Sequence, residues 1–109
     1  MEGLWIAQFT GSSLVGAGVV VFNGDNLLGG DGGYYYSGKL ERSGDSFTAT
    51  LTVAPHSPGY QSVFGTSGQT LHLKLSGTLQ GGGTTIIATG YPVEMPTAKF
   101  QAVLTKRAV

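Results

Sequence analysis

Ser46-Phe47-Thr48-Ala49-Thr50-Leu51-Thr52-Val53 alternates polar and apolar side chains without a break. Successive side chains of an extended chain point to opposite faces, so Phe47, Ala49, Leu51 and Val53 share one face and Ser46, Thr48, Thr50 and Thr52 the other. The β-branched threonines suit a pleated, half-exposed surface. The same period recurs further on: Leu71, Leu73, Leu75 and Leu79 alternate with His72, Lys74, Ser76 and Thr78, and Gly77 takes the inward slot where a leucine is missing. Near the C-terminus Ala98, Phe100, Ala102 and Leu104 alternate with Lys99, Gln101 and Thr105. Further strands are expected over residues 4–10, 14–22, 26–28, 34–41 and 84–91.

Turn chemistry separates these segments. Asn23-Gly24-Asp25 and Ser43-Gly44-Asp45 supply the positive-φ residues of tight hairpins, and Gln80-Gly81-Gly82-Gly83 does so with more slack. No window of helical length carries an apolar period of 3.6, so at most one short helical turn is expected. About seven or eight short antiparallel strands predict an all-β, up-and-down barrel rather than a sandwich, because closure removes exposed sheet edges. The barrel is expected to be one domain over residues 1–109. The irregular stretch 54–66 carries Tyr60, Val63 and Phe64 and is long for a hairpin connection; it is expected to fold over one open end as a plug.

Composition narrows the function classes. The 19 glycines are interleaved with apolar residues, as in a turn-rich β protein. Six acids balance six bases, and charged residues make up only 11%, so the footprint that phosphate backbones require is missing and direct nucleic-acid binding is not expected. With no cysteine, neither a disulfide framework nor a thiolate metal site is expected, and no cofactor is implied. No apolar run approaches the roughly 20 residues of a spanning helix, so no membrane span is expected. Glu2 and the alternation around Trp5 leave no signal-peptide pattern, which points to the cytoplasm.

Catalytic groups are sparse, and an enzyme is not expected. His72 alternates outward between leucines, while His56 stands in the irregular stretch without a second ligand or a cysteine partner. Asp31, within Gly29-Gly30-Asp31-Gly32-Gly33, reads as a side-chain-capped turn; the run lacks the Lys-Ser/Thr ending of a phosphate loop. A hydrolase or isomerase using Asp31 or His56 as base is the weakest of the readings. In Tyr34-Tyr35-Tyr36 the first and third point one way and the second the other, which suits both the mouth of a barrel and a protein interface.

Met1-Glu2-Gly3-Leu4-Trp5, the run from Gly16-Ala17-Gly18 through Val19-Val20-Val21, Gly29-Gly30-Asp31 followed by Tyr34-Tyr35-Tyr36-Ser37-Gly38, and Leu104-Thr105-Lys106-Arg107 together resemble the GrlR family of type III secretion repressors. The resemblance implies an eight-stranded, lipocalin-like barrel with an apolar interior and a plug-like loop, a homodimer, and repression by sequestering a transcriptional activator. The family's acidic contact hairpin is matched here by Glu41-Arg42-Ser43-Gly44-Asp45, where only scattered acid remains.

Two functions are therefore expected. The first is a regulatory protein-binding module, with Tyr34, Tyr35, Tyr36, Tyr60, Glu41 and Asp45 as candidate contacts. The alternative is a carrier of a lipid or other apolar small molecule, its cavity lined by Phe47, Leu51, Leu71, Leu73 and Phe100. Outward-facing Val15, Val19, Val21, Ile87 and Val103 favour self-association as a homodimer.

Overall fold

Each strand of the chain pairs antiparallel with the next, and the last pairs with the first. The computed structural model describes residues 1–12 and 14–108. Its eight strands are β1 (Gly3–Thr10), β2 (Val15–Asn23), β3 (Asn26–Gly30), β4 (Tyr34–Ser43), β5 (Ser46–Pro55), β6 (Leu71–Gln80), β7 (Thr85–Pro92) and β8 (Phe100–Ala108). They close an up-and-down barrel with no helix among the described residues. Gly24 and Gly44 sit at φ 61° and 62°, the left-handed backbone that two of the tight hairpins need.

Strand bounds differ from the expectation by one to three residues, and β5 takes in Ala54 and Pro55 from the stretch expected to be irregular. β3 runs two residues further, because Gly29 and Gly30 pair with Tyr36 and Tyr35 although neither has a side chain to show alternation. Ala98 lies ahead of β8, in a turn where its N–H donates to the Met95 carbonyl at 2.9 Å.

One end of the barrel is packed solid. Trp5, Phe22 and Ile86 are almost wholly buried, and the Trp5 and Phe22 rings meet edge to face at 5.7 Å between centroids. The indole N–H donates to the Glu2 carbonyl at 3.0 Å, so this large ring is buried with its polar atom satisfied. Phe47 pairs directly with Gly77, and a Cβ on Gly77 would stand 2.3 Å from the Phe47 ring. The missing leucine in β6 is thus the space that the phenyl ring fills.

At the other end the β7–β8 connection is tied back to β6. The Val93 N–H donates to the His72 carbonyl at 2.7 Å, and the Glu94 carboxylate accepts from the His72 main-chain N–H at 2.8 Å while meeting its Nδ1 at 2.5 Å. The bonds from His72 hold the Glu94 carboxyl below the usual carboxylate range. Since folding lowers this pKa, the clamp contributes fully above the unfolded-state value of about 4.3 and is lost as pH falls through the lower folded value. Both side chains are substantially exposed, so Glu94→Gln will cost no more than about 1 kcal/mol in urea unfolding at neutral pH. That difference will narrow below about pH 4; a gap that persists unchanged in acid would show that the ionised carboxylate is not its source.

Candidate functional site

The interior of an eight-stranded barrel is just wide enough for side chains to fill it, so small residues at neighbouring inward positions leave space. Ala88 on β7 pairs with Ala102 on β8, and Ala7 on the adjoining β1 pairs with Leu104 of β8. Beside these alanines lies a chamber of about 290 Å³. Its walls include Leu51, Leu73, Phe100 and Tyr36, Phe22 and Phe47 lie towards the packed end, and Tyr60, Val63 and Phe64 of the 56–70 loop form the roof. A dry cavity of about 150 Å³ accommodates benzene, so the space here suits a molecule of roughly two rings or a dozen carbons.

The roof is seated by the barrel's glycines and aromatics. A Cβ on Gly11 would stand 2.3 Å from the Val63 carbonyl oxygen, and one on Gly33 2.4 Å from the Tyr60 Cβ. Phe64 lies against Phe100 at 6.0 Å between centroids, Phe100 against Phe9 at 5.7 Å, and Phe9 edge-on to Tyr36 at 6.4 Å. The Tyr34 hydroxyl donates towards the carbonyls of Tyr60 and Thr66, at 3.1 and 3.3 Å. The His56 N–H adds a bond to the Gly33 carbonyl at 2.9 Å. Within the loop, buried Ser62 Oγ accepts from the amides of Phe64 and Thr66 and lies 2.7 Å from Thr66 Oγ1.

One carboxylate borders the chamber. Asp31 Oδ1 accepts from the N–H groups of Gly33 and Tyr34 at 2.9 and 2.8 Å, the capped turn expected of this segment. Its Oδ2 accepts from the Tyr36 hydroxyl. Burial, then that hydrogen bond and the carboxylate's charge, push the Tyr36 phenol well above its ordinary value, so it stays a protonated donor.

Phe47, Leu51, Leu71, Leu73 and Phe100 are all buried and line the chamber. The candidate protein contacts, by contrast, do not form one surface. Tyr34 and Tyr36 point inward and are only 4% and 7% exposed, which removes them from any outer contact face. Their parity with Leu40, against Tyr35 with Ser37, Lys39 and Glu41, is the signal in the strand that places them inside. Tyr35 and Tyr60 are each 49% exposed. Glu41 lies exposed on β4 and Asp45 in the β4–β5 turn, at the barrel end opposite the loop that carries Tyr60. Val63 and Phe64 line the chamber from the stretch expected to cover it, and Ala102 from the alternating set of the last strand; Ala7, Phe9 and Ala88 were not named by the sequence reading, and Val15, expected to face outward, also borders the space.

A larger hollow of about 910 Å³ lies outside the barrel, along exposed residues such as Lys39, Lys74, Lys99 and Tyr91. It is the saddle of a twisted sheet, open to solvent mostly along exposed side chains, whereas the inner chamber is walled mainly by buried ones and opens at the roof beside Val15, Ala17 and Gln61. The ring of His56 contacts Ser57 Oγ and the Asp31 main-chain carbonyl, each at 2.9 Å. The serine and histidine are sequence neighbours in an exposed position, and the third partner is a peptide oxygen, not the carboxylate that orients a hydrolytic histidine. In comparisons with known proteins, no family model and no curated protein matches the chain.

Tyr34→Phe tests how the roof is held. Removing the hydroxyl leaves the carbonyls of Tyr60 and Thr66 without that donor, at a cost of about 1–2 kcal/mol. Amide exchange at Ser62 and Gly65, whose N–H groups bond within the loop, will accelerate more than exchange in β1; unchanged protection there would exclude Tyr34 as the anchor.

Proposed function

We propose that this protein is a non-enzymatic binding barrel whose chamber receives a small apolar ligand. The observation that carries the reading is the hollow beneath the loop, about 290 Å³ and walled by leucine, phenylalanine and alanine side chains. Small-molecule sites are typically concave and mostly apolar with a few placed polar groups, which matches one carboxylate and buried tyrosines set in hydrocarbon. Binding without chemistry is further supported by the setting of His56, which faces a peptide carbonyl on an exposed loop.

Butylbenzene, a ten-carbon probe of fitting size, is expected to shift the methyl resonances of Leu51, Leu73 and Ala102 in a saturable NMR titration. Leu73→Trp adds ring volume at a wall position and will abolish those shifts while the strand resonances show the fold retained. Absence of saturable shifts in the wild-type protein, with butylbenzene and with polar-headed probes on the same apolar body alike, would end the carrier reading.

A second reading, a regulatory module of the GrlR type that sequesters a transcriptional activator in the cytoplasm, is favoured by the outer wall. Leu4 pairs with Val21 and Val21 with Leu28, while Val19 pairs with Gly30 and Gly30 with Tyr35. These side chains form an exposed apolar band across β1–β4, the kind of surface that marks association. Ile87 and Val103 pair with each other elsewhere, separated from the band by Gln8 on β1. The band would serve a homodimer or an activator. On this reading the wild type sediments as a dimer at micromolar concentration and Val21→Glu as a monomer of 11.2 kDa. A monomeric wild type would leave the band free for a different protein and remove the homodimer.

A further inference from the structure

The buried polar side chains of the chamber all present the same polarity, while Tyr60 and Gln61, which carry donors, stand exposed at the roof. Asp31 accepts three hydrogen bonds, two at Oδ1 and one at Oδ2, and an ionised carboxylate offers about four acceptor sites. The Tyr36 hydroxyl spends its single hydrogen on Asp31, so its oxygen can only accept. Tyr34 spends its hydrogen on the loop carbonyls. Ser62 Oγ already accepts from two amides, so its hydrogen is directed to Thr66 Oγ1. Among the described residues lining the chamber there is no lysine, arginine or histidine, and Asp31 is the one acid.

A bound molecule therefore meets an unfilled acceptor site on Asp31 and another on the adjacent Tyr36 oxygen, with no buried side-chain donor and no positive charge to receive an anion. We infer that the chamber selects a small apolar amine, its ammonium group bridging Asp31 Oδ2 and the Tyr36 hydroxyl oxygen, and discriminates against fatty-acid-like carboxylates. An ammonium has three donors and no acceptor, the complement of this site. A carboxylate would bring a second negative charge beside Asp31 in a partly buried setting, with no cation and no buried side-chain donor to offset its desolvation. The inference rests on the chamber being a ligand site, and it narrows the lipid-carrier expectation to cationic or donor-bearing ligands.

Four probes sharing one apolar body separate the two questions: butylbenzene, 4-phenylbutanol, 4-phenylbutylamine and 4-phenylbutyrate, each titrated while following the chamber methyls of the folded protein. The amine is expected to bind roughly tenfold or more tighter than butylbenzene and the butyrate most weakly, in keeping with the strength of hydrogen bonds to charged groups. Equal binding by all four would leave the chamber reading standing and overturn the amine preference, as would tightest binding by the butyrate. Failure of all four would overturn the chamber reading itself. Asp31→Asn keeps an oxygen for the Gly33 and Tyr34 amides but removes the charge and adds a donor, so the amine advantage will disappear; its survival in that variant overturns the assignment. Should Asp31→Asn not fold, Tyr36→Phe keeps the carboxylate and removes one acceptor, and the amine will then bind more weakly while still ahead of the butyrate; unchanged amine affinity would exclude the bridged geometry.

Discussion

Hydrogen bonding between β1 and β8 is the constraint on which the remaining features depend. Ala7 stands opposite Leu104 and Phe9 opposite Ala102 across this seam, and once it is made every strand has two neighbours and no edge is left to pair with another chain. Closure also fixes which side chains are enclosed and how far apart opposite walls stand. Whether the interior is solid or hollow then becomes a question of side-chain volume alone. Trp5, Phe22 and Ile86 fill one end, while Ala7, Ala88 and Ala102 leave the space of the chamber beyond it. The loop covers that space and does not fill it.

Much of the fold was legible because a period of two assigns faces without any knowledge of partners. Phe47, Leu51 and Leu73 could be placed inside on alternation alone, and the Asn-Gly-Asp and Ser-Gly-Asp turns marked their own hairpins. Legibility failed where side chains were absent or ambiguous. Gly29 and Gly30 belong to β3 but carry nothing that alternates. The three tyrosines of β4 fit either face by polarity, and parity with Leu40 settles that Tyr34 and Tyr36 are the buried pair; what the sequence does not give is their partners, the loop carbonyls for Tyr34 and Asp31 for Tyr36. The chamber was partly readable in the inward alanines. Its polar end was read only in half: the Gly-Gly-Asp-Gly-Gly pattern marks the capped turn at Asp31, but nothing local marks the bond from the Tyr36 hydroxyl to the other carboxylate oxygen.

Asp31 serves two scales of structure at once. One carboxylate oxygen organises the β3–β4 turn through two backbone amides, and the other holds the Tyr36 hydroxyl at the chamber wall. A group that shapes the backbone is itself rigidly oriented, which is how a polar anchor in an apolar site obtains direction as well as charge. The same coupling ties the geometry of the chamber to the β3–β4 turn, although the cavity is walled mostly by residues of other strands.

The roof is attached unevenly. Every hydrogen bond described between the loop and the barrel reaches β4 or the turn before it: Tyr34 to Tyr60 and Thr66, and His56 to Gly33 and Asp31. On the far side Val63 rests on Gly11 and Phe64 on Phe100 by contact alone. A cover fastened along one margin and merely resting on the other has a built-in direction of movement. Lifting the Val63–Phe64 side would break none of these hydrogen bonds, at the cost of apolar packing, whereas lifting the tyrosine side would strand carbonyl oxygens without donors. The β4 margin is thus the side of the roof that hydrogen bonds hold, and the β1–β2 and β8 rim the side that packing alone holds.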